Sequence, residues 1–133
     1  MMIVGIGTDL ADIDFFEECL QDNKTTVISE TFTAQEIITS ERGPVPKSHR
    51  LAGRFAVKEA FFKALSQTTL HRSSSKINAN PKEIEVCVDH IGRPYLSLHG
   101  EMDTLAKERG VKKIHVSISH EKSYALGFVI LEG

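Results

Sequence analysis

The chain has 133 residues, of which 41% are hydrophobic, enough for one domain with a genuine core. Its formal net charge of −2 gives no overall attraction to nucleic acid or to an anionic membrane. The first residues include neither a basic segment nor a long apolar run, and Cys19 and Cys87 lack the spacing of metal ligands. We therefore expect a cytoplasmic protein with two free thiols and with no nucleic-acid or membrane partner.

The first half of the chain predicts one strand followed by helices. Residues 2–7 form an apolar run with two glycines, which favours a buried central strand. Thr8 and Asp9 then offer N-cap chemistry for a first helix. A capping box at 33–36 predicts a short helix, and a longer helix is expected over 48–65, with Ser48 as its cap. The apolar stripe of the first helix consists of Leu10, Ile13, Phe16 and Leu20.

The second half of the chain predicts two hairpins separated by a helix. Residues 66–82 are polar and rich in Ser and Thr, and a loop of that length is typically functional or mobile. Alternating apolar residues predict a hairpin over 84–98 and another over 114–131, with a helix over 101–109 between them. This order indicates an α+β fold over residues 1–133, a single domain with a mainly antiparallel sheet packed against helices.

The long helix carries the densest group of charged residues. At 100° per residue, Lys58 falls within the apolar stripe that includes Leu51, while Glu59 lies at its edge and Lys63 one turn further on. A helix surface laced with ion pairs explains this pattern equally well, each pair adding only about 0.3–0.5 kcal/mol. However, a lysine on an apolar face is costly unless it meets an anion. A carboxylate among cations also suits a site for a metal and a phosphate.

Two further groups of polar residues are ambiguous by themselves. Asp9 follows the predicted first strand, so it either caps a helix or reaches a cleft at the end of that strand. Ser117 and Ser119 share one face of a later strand, and His120 opens the turn after it. A histidine at a strand end is more often an ordinary surface residue than a functional one. The remaining histidines show no spacing typical of zinc ligands.

Taken together, these features resemble the holo-[acyl-carrier-protein] synthases, the short class of 4′-phosphopantetheinyl transferases. The F-A-x-K-E-A stretch with its following lysine is quite specific, whereas the other motifs are individually weak. The landmarks that carry the resemblance are Gly5-Ile6-Gly7-Thr8-Asp9, Phe32-Thr33-Ala34-Gln35-Glu36, Arg54-Phe55-Ala56-Val57-Lys58-Glu59-Ala60 with Lys63-Ala64, Gly92-Arg93-Pro94 and Val116-Ser117-Ile118-Ser119-His120.

The resemblance implies a phosphopantetheinyl-transferase-like fold and a role for each matching residue. Asp9 and Glu59 would bind Mg²⁺ together with the pyrophosphate of coenzyme A. Lys63 and Lys58 would balance charge on the phosphates, and Glu59 or a metal-bound water would take the proton, so that Glu59 and Lys63 are the expected catalytic residues. The nucleotide pocket would be lined by Arg54, Ser119 and His120.

The implied reaction moves 4′-phosphopantetheine from coenzyme A to a serine of an acyl or peptidyl carrier protein and releases 3′,5′-ADP. The family resemblance further implies a homotrimer with each site in a cleft between neighbouring protomers. Two departures from the family pattern stand out. A Gly-rich loop is expected after the lysine helix, but the sequence there is Ser66-Gln67-Thr68-Thr69. The first helix is expected to be basic, but it carries Asp12, Asp14, Glu17 and Glu18.

These departures leave two other functions open. The chain could be a non-catalytic trimeric module for binding or assembly that kept the fold and lost or altered its use of coenzyme A. It could also be a metal-dependent hydrolase of small phosphate esters that uses water in place of a carrier protein. The carboxylates and lysines favour the transferase, whereas the missing glycines and the acidic helix motivate the binding module.

Overall fold

Five strands and five α-helices form the part of the chain that the computed structural model describes, residues 1–68 and 79–133. The first half contains β1 (Ile3–Asp12), α1 (Ile13–Gln21), α2 (Val27–Thr31), α3 (Ala34–Thr39) and α4 (Lys47–Ser66). The second half contains a 3₁₀ turn (Pro81–Glu83), β2 (Ile84–Val88), β3 (Pro94–Leu98), α5 (Gly100–Glu108), β4 (Lys113–Glu121) and β5 (Tyr124–Glu132).

The strands form two antiparallel sheets, which confirms the predicted α+β class. The larger sheet has the strand order β1-β5-β4, and the smaller one is the hairpin β2-β3. Helix α4 packs across the larger sheet and also contacts β2. The prediction of a central first strand was wrong, because among the described residues β1 lies at the edge of its sheet and pairs with β5 alone. Its apolar residues reflect contact with α4 on one face and an exposed apolar surface on the other.

The boundary between β1 and α1 also differs from the prediction. Strand β1 continues beyond residue 7 because it stays paired with β5 as far as Asp12 and Tyr124. Asp9 is therefore a strand residue, and Asp12 is the N-cap that accepts a hydrogen bond from the Asp14 amide at 2.9 Å. Leu10 belongs to β1 as well, with 66% of its surface exposed, and so does not extend the apolar stripe of α1.

The remaining predicted elements lie close to their observed positions. The capping box of Thr33 and Glu36 is confirmed, as are both hairpins and the long helix. Ser48 does not cap α4, which begins after Pro46 without a side-chain cap. The short helix α2 was not predicted, because five residues carry too little periodicity. Most of the predicted polar loop, residues 69–78, lies outside the described residues.

Glycines let α4 lie directly on the backbone of the larger sheet. A Cβ atom on Gly7 would lie 1.8 Å from the Ala60 carbonyl oxygen, and one on Gly5 would lie 2.2 Å from the Ala64 carbonyl oxygen. On β5, a Cβ atom on Gly127 would lie 2.5 Å from the backbone of α4. No side chain fits at these three positions, so helix and sheet are closer here than in ordinary packing.

Two apolar clusters form the core on either side of this contact. One joins α4 to β2, α5, β4 and β5, with Phe61, Leu65 and Met102 among its buried residues. The other joins α4 to α1 and the segment before α3, with Phe16 and Phe32 buried in it. Within residues 1–68 and 79–133, no helix has both the length and the apolar character needed to cross a bilayer.

We expect Gly7→Ala to destabilise the fold by about 1–3 kcal/mol, because its methyl group overlaps the backbone of α4. Urea denaturation followed by circular dichroism measures this loss. The matched control is Thr8→Ala, which changes an exposed side chain on the adjacent position of the same strand. Equal unfolding midpoints for the two variants would show that the close approach of α4 to the sheet does not require a glycine at position 7.

Candidate active site

A charged cluster lies where β1 runs along α4. The Lys63 ammonium donates a hydrogen bond to Asp9 Oδ1 at 3.0 Å and another to the Thr8 carbonyl oxygen at 3.1 Å. The Asp9 side chain is 19% exposed and that of Lys63 is 54% exposed, so the ion pair opens to solvent. Asp9 reaches this position because β1 continues as a strand along the helix.

Glu59 completes the cluster one helical turn before Lys63. It is half-buried on α4, and burial raises the pKa of its carboxyl. The nearby negative charge of Asp9 raises that pKa further, while the positive charge of Lys63 lowers it. The structure therefore brings together three predicted site residues, and the charge of Asp9 disfavours ionisation of Glu59.

This pair of carboxylates fits a cation that is shared with a ligand. Within the described part of the chain, no three His, Cys, Asp or Glu side chains form a group that could hold a metal. Mg²⁺ commonly takes only one or two carboxylates, together with phosphate oxygens and water. Asp9 and Glu59 match this ligand set, and Lys63 beside them can neutralise further negative charge.

Lys58 points away from this cluster into the core. Its ammonium donates hydrogen bonds to Glu36 Oε1 at 2.7 Å and to the carbonyl oxygens of Pro81 and Ile84, both at 2.8 Å. Burial lowers the pKa of Lys58, and the Glu36 carboxylate raises it in opposition. The anion that this lysine meets is the Glu36 carboxylate and not the expected phosphate. All three N–H donors have partners, so the geometry gives no support to a contact between Lys58 and phosphate.

A cleft of about 270 Å³ opens on another side of α4. Its walls combine two guanidinium groups and an imidazole with apolar side chains. This combination suits a ligand that has a flat apolar ring and separate negatively charged groups. Arg54 is 3% exposed, and burial lowers the pKa of its guanidinium. The lining residues are Val45, Arg50, Arg54, Val86, Val88, Gly92, Pro94, Ile118 and His120.

Two of the three predicted nucleotide-pocket residues line this cleft. The His120 Nε2–H group donates to the His49 carbonyl oxygen at 2.9 Å, which leaves Nδ1 as the nitrogen that can meet a ligand. Gly53 leaves room for this imidazole beside the helix. Ser119 alternates with Ile118 and His120 along β4, so it lies on the opposite, exposed face of the sheet and does not line the cleft.

The charged cluster and the cleft occupy opposite flanks of the same helix. At 100° per residue, Arg54 lies about 140° from Glu59 and about 180° from Lys63 around the axis of α4. One chain therefore presents two halves of a site and keeps them apart.

Two residues of these sites were missed from sequence. Arg50 lines the cleft and donates from Nε to the Val45 carbonyl oxygen at 3.2 Å. Its position one turn before Arg54 was the available signal. Glu36 was read as a helix cap alone, although it is 1% exposed and pairs with Lys58. The position of Lys58 in the apolar stripe was the available signal, because a buried ammonium needs an anionic partner.

An α+β domain that pairs a metal-fitting carboxylate cluster with a cation-lined cleft is the framework of an enzyme for phosphorylated ligands. A sequence profile of the 4′-phosphopantetheinyl transferase superfamily matches residues 5–129. The holo-[acyl-carrier-protein] synthase of Halothermothrix orenii is 37% identical over 134 residues, covering 98% of both chains. The chain belongs to this superfamily, among the holo-[acyl-carrier-protein] synthases.

Solved structures of such synthases share the fold. The structure of a coenzyme A complex from Chronobacterium ammoniagenes superposes with a TM-score of 0.79 at 32% identity, covering 98% of this chain and 97% of the other. A Bacillus anthracis synthase in complex with coenzyme A (3′,5′-ADP) superposes with a TM-score of 0.70 at 29% identity, covering 98% and 97%. The predicted fold class and family are confirmed.

Glu59→Gln is expected to stabilise the metal-free protein at neutral pH. Since the folded-state pKa of Glu59 lies above its ordinary value of 4.5, ionisation penalises the folded state as pH rises through and beyond 4.5. The variant lacks this penalty. Its gain in the free energy of unfolding over the wild type should therefore grow above pH 4.5 and vanish below it. Urea midpoints measured across this pH range in EDTA test the prediction.

The matched control is Glu121→Gln, which neutralises an exposed carboxylate in β4. Its effect on the urea midpoint should be small and nearly independent of pH. If Glu59→Gln follows the same flat profile as this control, the Glu59 carboxylate is not strained in the fold.

Proposed function

We propose that the chain transfers 4′-phosphopantetheine from coenzyme A to a serine of an acyl carrier protein or a related carrier, depends on Mg²⁺ and releases 3′,5′-ADP. The observation that carries this proposal is the cluster of Asp9, Glu59 and Lys63, together with the cation-lined cleft on the opposite flank of α4. Family membership supports the reaction class, and the named relatives are synthases that act on the acyl carrier protein. In this proposal, residues 1–133 act as one transferase domain.

The charged cluster is the proposed centre of the reaction. Asp9 and Glu59 would hold Mg²⁺, which when bound supplies positive charge beside the pyrophosphate of coenzyme A. Lys63 is exposed enough to neutralise phosphate oxygens. The carrier serine oxygen bonds to the β-phosphorus, and the bond from that phosphorus to the bridging oxygen breaks. Glu59 would also take the serine proton.

The cleft is the proposed place for the nucleotide. Its apolar walls suit the adenine ring, and Arg50 and Arg54 supply positive charge for phosphate groups. Binding energy gained here would hold the reacting phosphate in place, because positioning and charge stabilisation account for most of catalysis in phosphoryl transfer.

A homotrimer with sites between protomers would bring the two half-sites together. One chain keeps them on opposite flanks of α4, so a cleft from one protomer must meet a charged cluster from its neighbour. The outer face of the larger sheet supports assembly, because it exposes large apolar side chains. These side chains are Ile6, Leu10, Tyr124 and Leu126. Ser119 lies on the same face, where a neighbour could bring it to a site.

Helix α1, the expected docking surface for the carrier protein, departs from the family pattern because it is acidic. Helix α1 exposes Asp14, Glu17 and Glu18, and its N-cap is Asp12. Like charges slow the association of acidic partners, so we expect preference for a carrier whose docking face is less acidic than usual.

Both cysteines are free thiols, which agrees with a location in the reducing cytoplasm.

Transfer should be visible as a mass gain of one phosphopantetheine on a carrier protein incubated with coenzyme A and Mg²⁺. A panel of carriers with different surface charge identifies the acceptor. We expect Glu59→Ala to lower kcat/KM at least about a hundredfold, because it removes a metal ligand and the proposed base. Glu121→Ala, which removes an exposed carboxylate, is the control.

The same assay separates the alternatives. Folded protein that modifies no carrier, and that shows no Mg²⁺-dependent binding of coenzyme A by calorimetry, would contradict the proposal and favour the non-catalytic module. Release of 3′,5′-ADP that proceeds equally well without any carrier would instead indicate a hydrolase.

Complementation between inactive variants tests whether a site spans two protomers. Glu59→Ala disables the charged cluster, and His120→Ala disables the cleft. When the two chains are co-expressed in equal amounts, about a quarter of the inter-protomer sites should contain two intact halves. We therefore expect about a quarter of the wild-type activity per trimer in the mass assay. The control is a mixture of preformed homotrimers, and co-expressed chains no more active than this mixture would place both halves in one protomer.

A further inference from the structure

The Glu36 side chain does more than cap a helix. Its Oε1 atom accepts hydrogen bonds from the Thr33 amide at 3.0 Å and from Lys58 at 2.7 Å, and its Oε2 atom accepts one from the Val86 amide at 3.1 Å. Only the first of these belongs to the capping box. The other two connect α3 to α4 and to β2, and the carboxylate is buried, whereas a capping glutamate needs no burial.

The backbone of the same residue holds one wall of the cleft. The Glu36 carbonyl oxygen accepts a hydrogen bond from Arg54 Nη1 at 2.6 Å, and Thr39 Oγ1 accepts another from the same nitrogen at 2.7 Å. Val86, whose amide is bound by the carboxylate, lines the cleft across from Arg54. Glu36 therefore contacts both a cation and a strand of the cleft without lining the cleft itself.

Lys58 extends this arrangement to the start of β2. Its ammonium binds the carbonyl oxygens of Pro81 and Ile84 and is held in the core by the Glu36 carboxylate. A buried ammonium that loses the carboxylate bound to it is strongly unfavourable, so the anchorage of β2 depends on the charge of Glu36.

We propose that Glu36 is a positioning residue for coenzyme A, which fixes Arg54 and β2 at the separation that the nucleotide requires. It acts through Arg54 and Val86 and not by contact with the ligand. This inference rests on the proposed function, because it takes the cleft as the nucleotide site. The consequence is that affinity for coenzyme A depends on a buried carboxylate outside the cleft, whereas the chemistry at Glu59 does not.

The test is steady-state transfer from coenzyme A by the full chain with Glu36→Gln. We expect KM for coenzyme A to rise about tenfold while kcat stays within about twofold, since the cleft loosens but the charged cluster is untouched. The stability control is Ile13→Ala, a truncation in the other apolar cluster, none of whose residues line the cleft, and it should lower the melting temperature without changing KM. A KM for Glu36→Gln equal to that of the wild type would overturn the proposal.

A double variant distinguishes positioning from simple loss of stability. Glu36→Gln combined with Lys58→Met removes the unpaired buried ammonium and should recover much of the melting temperature. If KM stays raised while the melting temperature recovers, Glu36 positions the cleft. If KM returns to the wild-type value together with the melting temperature, the residue is only structural and the proposal fails. A wild-type chain that neither binds nor transfers from coenzyme A would overturn the proposed function, and this inference with it.

Discussion

The close approach of α4 to the larger sheet is the constraint on which the rest of the structure depends. Gly5, Gly7 and Gly127 present bare backbone to the helix, and a methyl group at any of them would overlap α4. Because β1 runs along the helix in this way, a carboxylate on the strand lies within hydrogen-bond distance of a lysine on the helix. The charged cluster is thus a consequence of backbone packing, and its members need no flexible loop to meet.

The second organising interaction is the buried pair of Lys58 and Glu36. Each charge is removed from water, and each is compensated by the other and by further hydrogen bonds. The described residues contain no buried side-chain nitrogen or oxygen atom without a hydrogen-bond partner. The pair links three parts of the chain, α3, α4 and β2.

Helix α4 separates two chemistries while carrying residues of both. One flank bears the carboxylate whose pKa is raised by burial and by Asp9, a strained arrangement of the kind found at functional sites. The other flank bears Arg50 and Arg54 beside apolar walls. A rigid helix can hold both groups at a fixed spacing, but it prevents them from facing the same ligand in one chain. Assembly through the exposed apolar sheet face resolves this conflict in the proposed trimer.

The sequence by itself determined the α+β class, the long helix, both hairpins and the capping box, because these depend on local periodicity and on cap residues. It also indicated that Lys58 had to meet an anion. Only the tertiary structure decided which anion that is, since Glu36 lies on a different helix and is brought to Lys58 by packing. The length of β1, and hence the strand position of Asp9, was decided by pairing with β5, which overrode the capping signal at Thr8 and Asp9. The spacing of Glu59 and Arg54 along α4 already separates them around the helix axis, but only the tertiary structure decided which elements pack on each flank.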